Sequence, residues 1–159
     1  MRIGLGYDSH SFDPERPCVL GGVVIPGAPG LRGFSDGDAL AHALTDAILG
    51  AASLGDIGRH FPPGVEEWRG ADSIDLLSRA VALVHEAGFR VGNVDATVIC
   101  EQPKIGPVAD QMRRRLAETL QVDPTQVSVK GKTNEGMGWE GEGKGLAVHA
   151  VALLLPHDP

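Results

Sequence analysis

Arg2-Ile-Gly-Leu-Gly-Tyr-Asp-Ser-His10 is the stretch that decides the fold. In an extended chain Ile3, Leu5 and Tyr7 fall on one side, and Arg2, Gly4, Gly6, Asp8 and His10 on the other. A period of two is that of a β-strand. Working outward, Cys18-Val-Leu20 and Val23-Val-Ile25 flank Gly21-Gly22, which is a hairpin pattern. Pro26 to Asp38 holds two Pro and four Gly and is expected to be a loop. From about Ala39 to Ser53 a helix follows, with Leu40, Ala43, Leu44, Ala47, Ile48 and Ala51 as its buried stripe. Leu54 to Gly70, with Pro62-Pro63 and an acidic patch, again predicts loop.

A second helix is expected from Asp72-Ser73 to Gly88, with Ile74, Leu77, Val81 and Val84 inward. Phe89 to Cys100 is β-rich, Pro107 suits the first turn of a helix reaching about Leu120, and Val127–Lys130 and Leu146–Leu155 suit strands. The implied fold class is α/β: an α+β sandwich with a mixed sheet and helices on one face, residues 1–159 forming one domain.

At 159 residues and 42% apolar, the chain can bury a full core without metal or disulfide staples, so a metal site would be functional. A net charge of −7 argues against nucleic acid, whose phosphates need basic surfaces. Any phosphate-bearing ligand must then be held by local cations or metals. Two cysteines, Cys18 and Cys100, make no disulfide framework. The longest apolar run, near Ala150 to Leu155, is too short to span a bilayer, and Met-Arg-Ile-Gly lacks an apolar signal region. The expectation is a soluble cytoplasmic protein with no membrane partner.

Asp8 and His10, two apart in a strand, point the same way about 6.5–7 Å apart along the chain. Asp38, His42 and Asp46 follow i, i+4, i+8 on the first helix, away from its apolar stripe. If that ridge faces the strand, Asp8, His10 and His42 form a nitrogen–oxygen set with one position open, the pattern of a catalytic zinc. The same residues also suit an edge strand with two surface polar groups and a solvated helical histidine. His60 lies in a loop, and His85, His149 and His157 have no evident partner.

Seven short strings reinforce one another: Gly6-Tyr-Asp-Ser-His10, Ser35-Asp-Gly-Asp38, His42-Ala-Leu-Thr-Asp46, Leu54-Gly-Asp-Ile-Gly58, Gly70-Ala-Asp-Ser73, Pro103-Lys104 and Lys132-Thr-Asn-Glu135. In order and spacing, over nearly the whole chain, they resemble the 2-C-methyl-D-erythritol 2,4-cyclodiphosphate synthase family of the non-mevalonate isoprenoid pathway. The resemblance implies a homotrimer with active sites at subunit interfaces. It implies conversion of 4-diphosphocytidyl-2-C-methyl-D-erythritol 2-phosphate to the cyclic diphosphate with release of CMP. It implies zinc on Asp8, His10 and His42, and magnesium or manganese on Glu135 and the substrate phosphates.

By the same resemblance, Thr133, Lys132 and position 34 fall at catalytic places. Ser9, Ser35, Asp56, Ile57, Gly58, Phe61, Pro62, Pro63, Gly64 and Val65 would meet the substrate with the zinc ligands. Cys100, Glu101, Gln102, Pro103, Lys104, Ile105 and Gly106 match the loop that receives cytosine, and Asn134, Trp139 and Glu142 complete the substrate set. On their own, Lys132-Thr-Asn-Glu135 also reads as a polar turn after a strand, and Leu54-Gly-Asp-Ile-Gly58 as a helix-terminating turn.

Four positions depart from the family pattern. Phe34 stands where the family has a histidine credited with transition-state stabilisation, and Pro63 where it has an aspartate. Glu142 and Lys144 reverse the usual Arg-then-Glu order near the threefold axis, where Tyr7 and Trp139 are expected to line a central cavity. Three copies of Glu142 would disfavour the isoprenoid diphosphates that relatives bind there.

Overall fold

The computed structural model describes residues 1–157 and is organised on one five-stranded sheet. Its strands are β1 (Arg2–Leu20), β2 (Val23–Leu31), β3 (Phe89–Ile99), β4 (Val127–Lys132) and β5 (Gly145–Pro156), ordered β2-β1-β5-β3-β4 in space. Neighbours are antiparallel except β3 and β4, so the sheet is mixed. The helices are α1 (Ala39–Ala51), α2 (Ile57–His60), α3 (Ser73–Glu86), α4 (Gly106–Leu120) and α5 (Gly138–Gly141). No helix among the described residues is long and apolar enough to cross a membrane.

The alternation in β1 has an unusual sense. Ile3, Leu5 and Tyr7 form the open face, with Ile3 73% exposed, and Val151 of β5 extends that patch. The face turned to the core is the glycine face. A methyl group at Gly6 would lie 1.8 Å from the Ala43 carbonyl oxygen, and one at Gly4 2.0 Å from that of Ala47. The backbone of α1 therefore rests directly on the backbone of β1. Leu40, Ala43, Leu44, Ala47 and Ile48 are fully buried, so the expected stripe is the contact surface.

Asp38 does not join a polar ridge facing β1. It is fully buried and caps α1, accepting from Ala41 N at 3.0 Å, and also takes the Gly21 and Gly22 amides at 2.9 and 2.8 Å. Both glycines have positive φ, as the two-residue hairpin turn requires. One carboxylate thus ties the β1–β2 turn to the start of α1.

Two expected loops contain ordered structure. Pro26 to Leu31 continues β2, pairing Phe12 with Leu31 and Asp13 with Gly30. β2 is an edge strand, so its prolines cost no central ladder bond. Within Leu54 to Gly70, Asp56 caps the single turn α2 through Arg59 N at 2.9 Å, and Glu66–Trp68 is a 3₁₀ turn. Neither is long enough to carry a helical period. α3 and α4 follow expectation, with Ile74, Leu77, Val81 and Val84 buried.

Cys18 and Cys100 are both buried and unpaired. Burial, with the Asp38 charge beside Cys18, pushes its thiol up to about 11, and burial lifts Cys100 to about 11 as well.

Replacing Gly6 by Ala should destabilise the fold by about 3 kcal/mol, because the methyl meets helix backbone that cannot rotate away. Chemical unfolding measures this, and a loss under about 0.5 kcal/mol would show that α1 can retreat.

Candidate metal centre and adjoining hollows

The close seat of α1 on β1 brings His42 opposite Asp8 and His10. Asp8 Oδ2 lies 2.8 Å from His10 Nε2 and 3.1 Å from His42 Nδ1, and the two ring nitrogens are 3.4 Å apart. These are separations of one face of a small tetrahedron, whose edge is about 3.3 Å for bonds of about 2.0–2.1 Å. The three groups form a candidate metal-holding cluster.

Each imidazole is oriented from behind. His10 Nδ1 is 2.5 Å from the carbonyl of Arg32, which can only accept, so Nδ1 carries the proton and Nε2 turns its lone pair to the cluster. His42 Nε2 lies 2.8 Å from Ser73 Oγ and 3.1 Å from Ser35 Oγ. Ser73 Oγ donates to Asp36 Oδ1 at 2.5 Å and therefore accepts from His42. Asp36 Oδ2 takes the Ser73 amide at 3.0 Å. The chain His42–Ser73–Asp36 leaves Nδ1 as the free ligand atom, an outer-shell arrangement characteristic of histidine metal ligands.

Charge agrees with this. Burial alone would raise Asp8, but its hydrogen bonds to both imidazoles hold it below the usual carboxylate range and so ionised. Burial lowers His10, yet the Asp8 hydrogen bond and charge outweigh it and leave it above the ordinary value, so in the ion-free site Nε2 tends to hold a proton that a bound cation would displace. Two lone pairs and a carboxylate oxygen converging in a half-buried site are satisfied by a cation. The donor set fits a divalent metal.

Beside the cluster lies a hollow of about 240 Å³ lined by His10, Phe34, Ser35, His42, Ile57, Gly58, Phe61, Pro63, Trp68 and Leu76. Its wall is largely aromatic: Phe61 meets Trp68 edge-on at 5.2 Å, and the Arg69 guanidinium stacks over Phe34 at 4.9 Å. Asp46 accepts from Ile57 N at 2.8 Å and so fixes the start of α2 at the hollow's edge. Asp56, Pro62, Gly64 and Val65 do not line it, and the Asp56 carboxylate is exposed as the α2 cap.

A second hollow of about 400 Å³ is lined by Cys100, Pro103, Lys104, Ile105, Gly106, Pro107, Gly131, Lys132 and Thr133. It gathers most of the loop singled out for cytosine, with Lys132 and Thr133. Glu101 and Gln102 are not in its wall. The Glu101 carboxylate is taken by the amides of Asn134 at 2.9 Å and Gly136 at 3.4 Å, so it clamps the turn carrying Glu135. Glu135 is exposed, with φ of 54°, and stands apart from the Asp8 cluster. Ser9 and Trp139 line a third depression with His10, Ser11 and Lys144. Lys144 pairs with Glu142 at 2.6 Å, so Glu142 has a countercharge within its own chain. The hollow beside the cluster and the one at residues 100–107 share no residue.

Asp36, Ser73 and Asp46 are the supports that motif reading left without a role. Asp36 and Ser73 stand inside two of the quoted strings, and their separation of 37 positions hides their contact. Ser73→Ala should keep the fold and weaken Co²⁺ or Zn²⁺ binding by about 10- to 100-fold. Competition against a chromophoric chelator measures it, and wild-type affinity in the variant would remove Ser73 from the site.

Residues 1–155 match the model of the YgbB family. The chain is 54% identical over 154 residues, 97% of its own length and 96% of the other's, to the 2-C-methyl-D-erythritol 2,4-cyclodiphosphate synthase of Thermosynechococcus vestitus. It superposes on the bifunctional IspDF of Campylobacter jejuni with a TM-score of 0.95 at 41% identity, covering 99% of this chain and 42% of that one. On the Plasmodium falciparum IspF in complex with CDP the TM-score is 0.85 at 38% identity, covering 99% of this chain and 97% of that one. By its triad, its sheet and these likenesses, the chain belongs to the YgbB family, that of the 2-C-methyl-D-erythritol 2,4-cyclodiphosphate synthases.

Proposed function

We propose that this chain cyclises 4-diphosphocytidyl-2-C-methyl-D-erythritol 2-phosphate to 2-C-methyl-D-erythritol 2,4-cyclodiphosphate. An oxygen of the 2-phosphate attacks the β-phosphorus, the bond from that phosphorus to the α–β bridging oxygen breaks, and CMP leaves. The single observation that carries this reading is the triad Asp8, His10 and His42 opening beside a hollow, in a chain of this family. Zinc is the ion the donor set suits, and when bound it supplies Lewis-acid polarisation of a phosphate oxygen.

Protein groups position and neutralise; the chemistry needs no protein nucleophile. Lys132 and Thr133 offer a cation and a hydroxyl for the transferring group, and Lys104 a cation for the α-phosphate. Backbone groups of residues 100–106 read the cytosine edge. Asp56 accepts from vicinal hydroxyls, and Ile57, Gly58, Phe61 and Pro63 pack on the methylerythritol. Glu135 would be the carboxylate that holds a hard second ion, magnesium or manganese, which would neutralise phosphate charge.

The substrate-facing residues fall into two hollows with no common wall, and the open sheet face exposes Ile3, Leu5, Tyr7 and Val151. Both features support a homotrimer in which one subunit's metal hollow faces the other subunit's cytidine hollow. Unpaired, buried cysteines suit the cytoplasm.

Phosphorus NMR of the substrate with zinc- and magnesium-loaded protein tests the reading. The expected products are CMP and the cyclic diphosphate. CMP with a linear product would make the chain a hydrolase, and absence of CMP would make it a binding protein. Phe34, which has no side-chain donor, should limit the rate. Phe34→His is expected to raise kcat by about a hundredfold, the lower end for one donor at a developing oxyanion, and an unchanged or lower kcat would refute this role.

A further inference from the structure

Arg16 belongs to no motif, yet its side chain reaches the segment behind the candidate metal cluster. It stands in the irregular part of β1, where pairing with β2 slips register between Asp13 and Cys18. Its side chain turns inward and is half-buried. Nη1 donates to the carbonyl of Gly33 at 2.8 Å and Nη2 to that of Ser35 at 2.5 Å. Among the described residues no carboxylate pairs with it. A guanidinium taken partly out of water and given two neutral carbonyls is placed for its geometry, since a rigid planar fork fixes two acceptors at once.

Those carbonyls flank Phe34, in a segment without helix or strand. The same segment supplies both outer contacts of the imidazoles. Arg32 gives the carbonyl that takes His10 Nδ1–H, and Ser35 gives a hydroxyl 3.1 Å from His42 Nε2. It also packs on the His10 ring, for a Cβ at Gly33 would stand 3.2 Å from Cε1. With Gly33 and Gly37 in the segment, its backbone has little stiffness of its own.

We propose that Arg16 is a positioning residue of the metal centre: by clamping the carbonyls of Gly33 and Ser35 it sets the Arg32 carbonyl and the Ser35 hydroxyl where they hold His10 and His42 with lone pairs on the ion. This rests on the reading of Asp8, His10 and His42 as metal ligands. Neither charge nor bulk suffices for the task. Lysine preserves the cation but has a single point of donation, so Arg16→Lys should fail as a substitute.

Titration of metal-free protein with Co²⁺, followed by its visible d–d absorption, tests the proposal on wild type, Arg16→Lys and Arg16→Gly. Both variants are expected to bind about 10- to 100-fold more weakly than wild type, with unchanged far-ultraviolet circular dichroism. Free guanidinium at non-denaturing concentration should restore most of the loss in Arg16→Gly, where it can refill the fork, and none in Arg16→Lys. Wild-type affinity in either folded variant would overturn the proposal. So would weakening in Arg16→Gly that guanidinium does not reverse. Should Arg16→Gly not fold, Arg16→Lys decides alone. Failure of the wild type to take up Co²⁺ would instead overturn the metal assignment itself and the proposal with it.

Discussion

The seat of α1 on the glycine face of β1 governs the rest of the molecule. Two backbones in contact, with no side chains between them at Gly4 and Gly6, set the distance from strand to helix. Asp8 follows Gly6 by two residues, and His42 precedes Ala43, the residue whose carbonyl abuts Gly6. The separation of the three ligand atoms is thus inherited from a packing contact one residue away. A bulkier strand would move the helix outward and open the triad. Asp38 fixes the sliding coordinate left over, since it joins the hairpin turn to the first turn of the same helix.

Much of this was legible in the sequence, and for local reasons. The period-two run at 2–10, the stripe of α1 and the hairpin glycines each carry their own pattern, and all three appear in the structure. Asp8, His10 and His42 were legible because strand and helix periods fix where a side chain points, and only the helix-to-strand docking had to be supplied. Features that depend on distant partners were not. Pro26 to Leu31 is a strand because β1 lies beside it. Asp36 and Ser73 act as a pair although neither belongs to a local period. Glu101 sat in a segment matching a base-binding loop, but backbone amides of the turn at 134–136 occupy its carboxylate.

The electrostatic design is local within an acidic chain. A protein of net charge −7 that handles a ligand with three phosphoryl groups must concentrate positive charge where it is needed. Lys104 and Lys132 gather at one hollow, a metal-ligand cluster at another, and Arg69 and Arg79 lie against the aromatic rings of Phe34 and Trp68. Other basic side chains form surface pairs such as Arg113–Asp110 and Arg115–Glu118, which contribute little to stability.

The two sulfur atoms bear on how the molecule ages. Both thiols sit inside the core, protonated far above neutrality, and nucleophilic attack and peroxide chemistry run through the thiolate. Electrophiles and mild oxidants therefore find no ready handle on the native chain. Cys18 lies in none of the hollows described, so covalent damage there requires prior opening of the interior and is a record of unfolding instead of its cause.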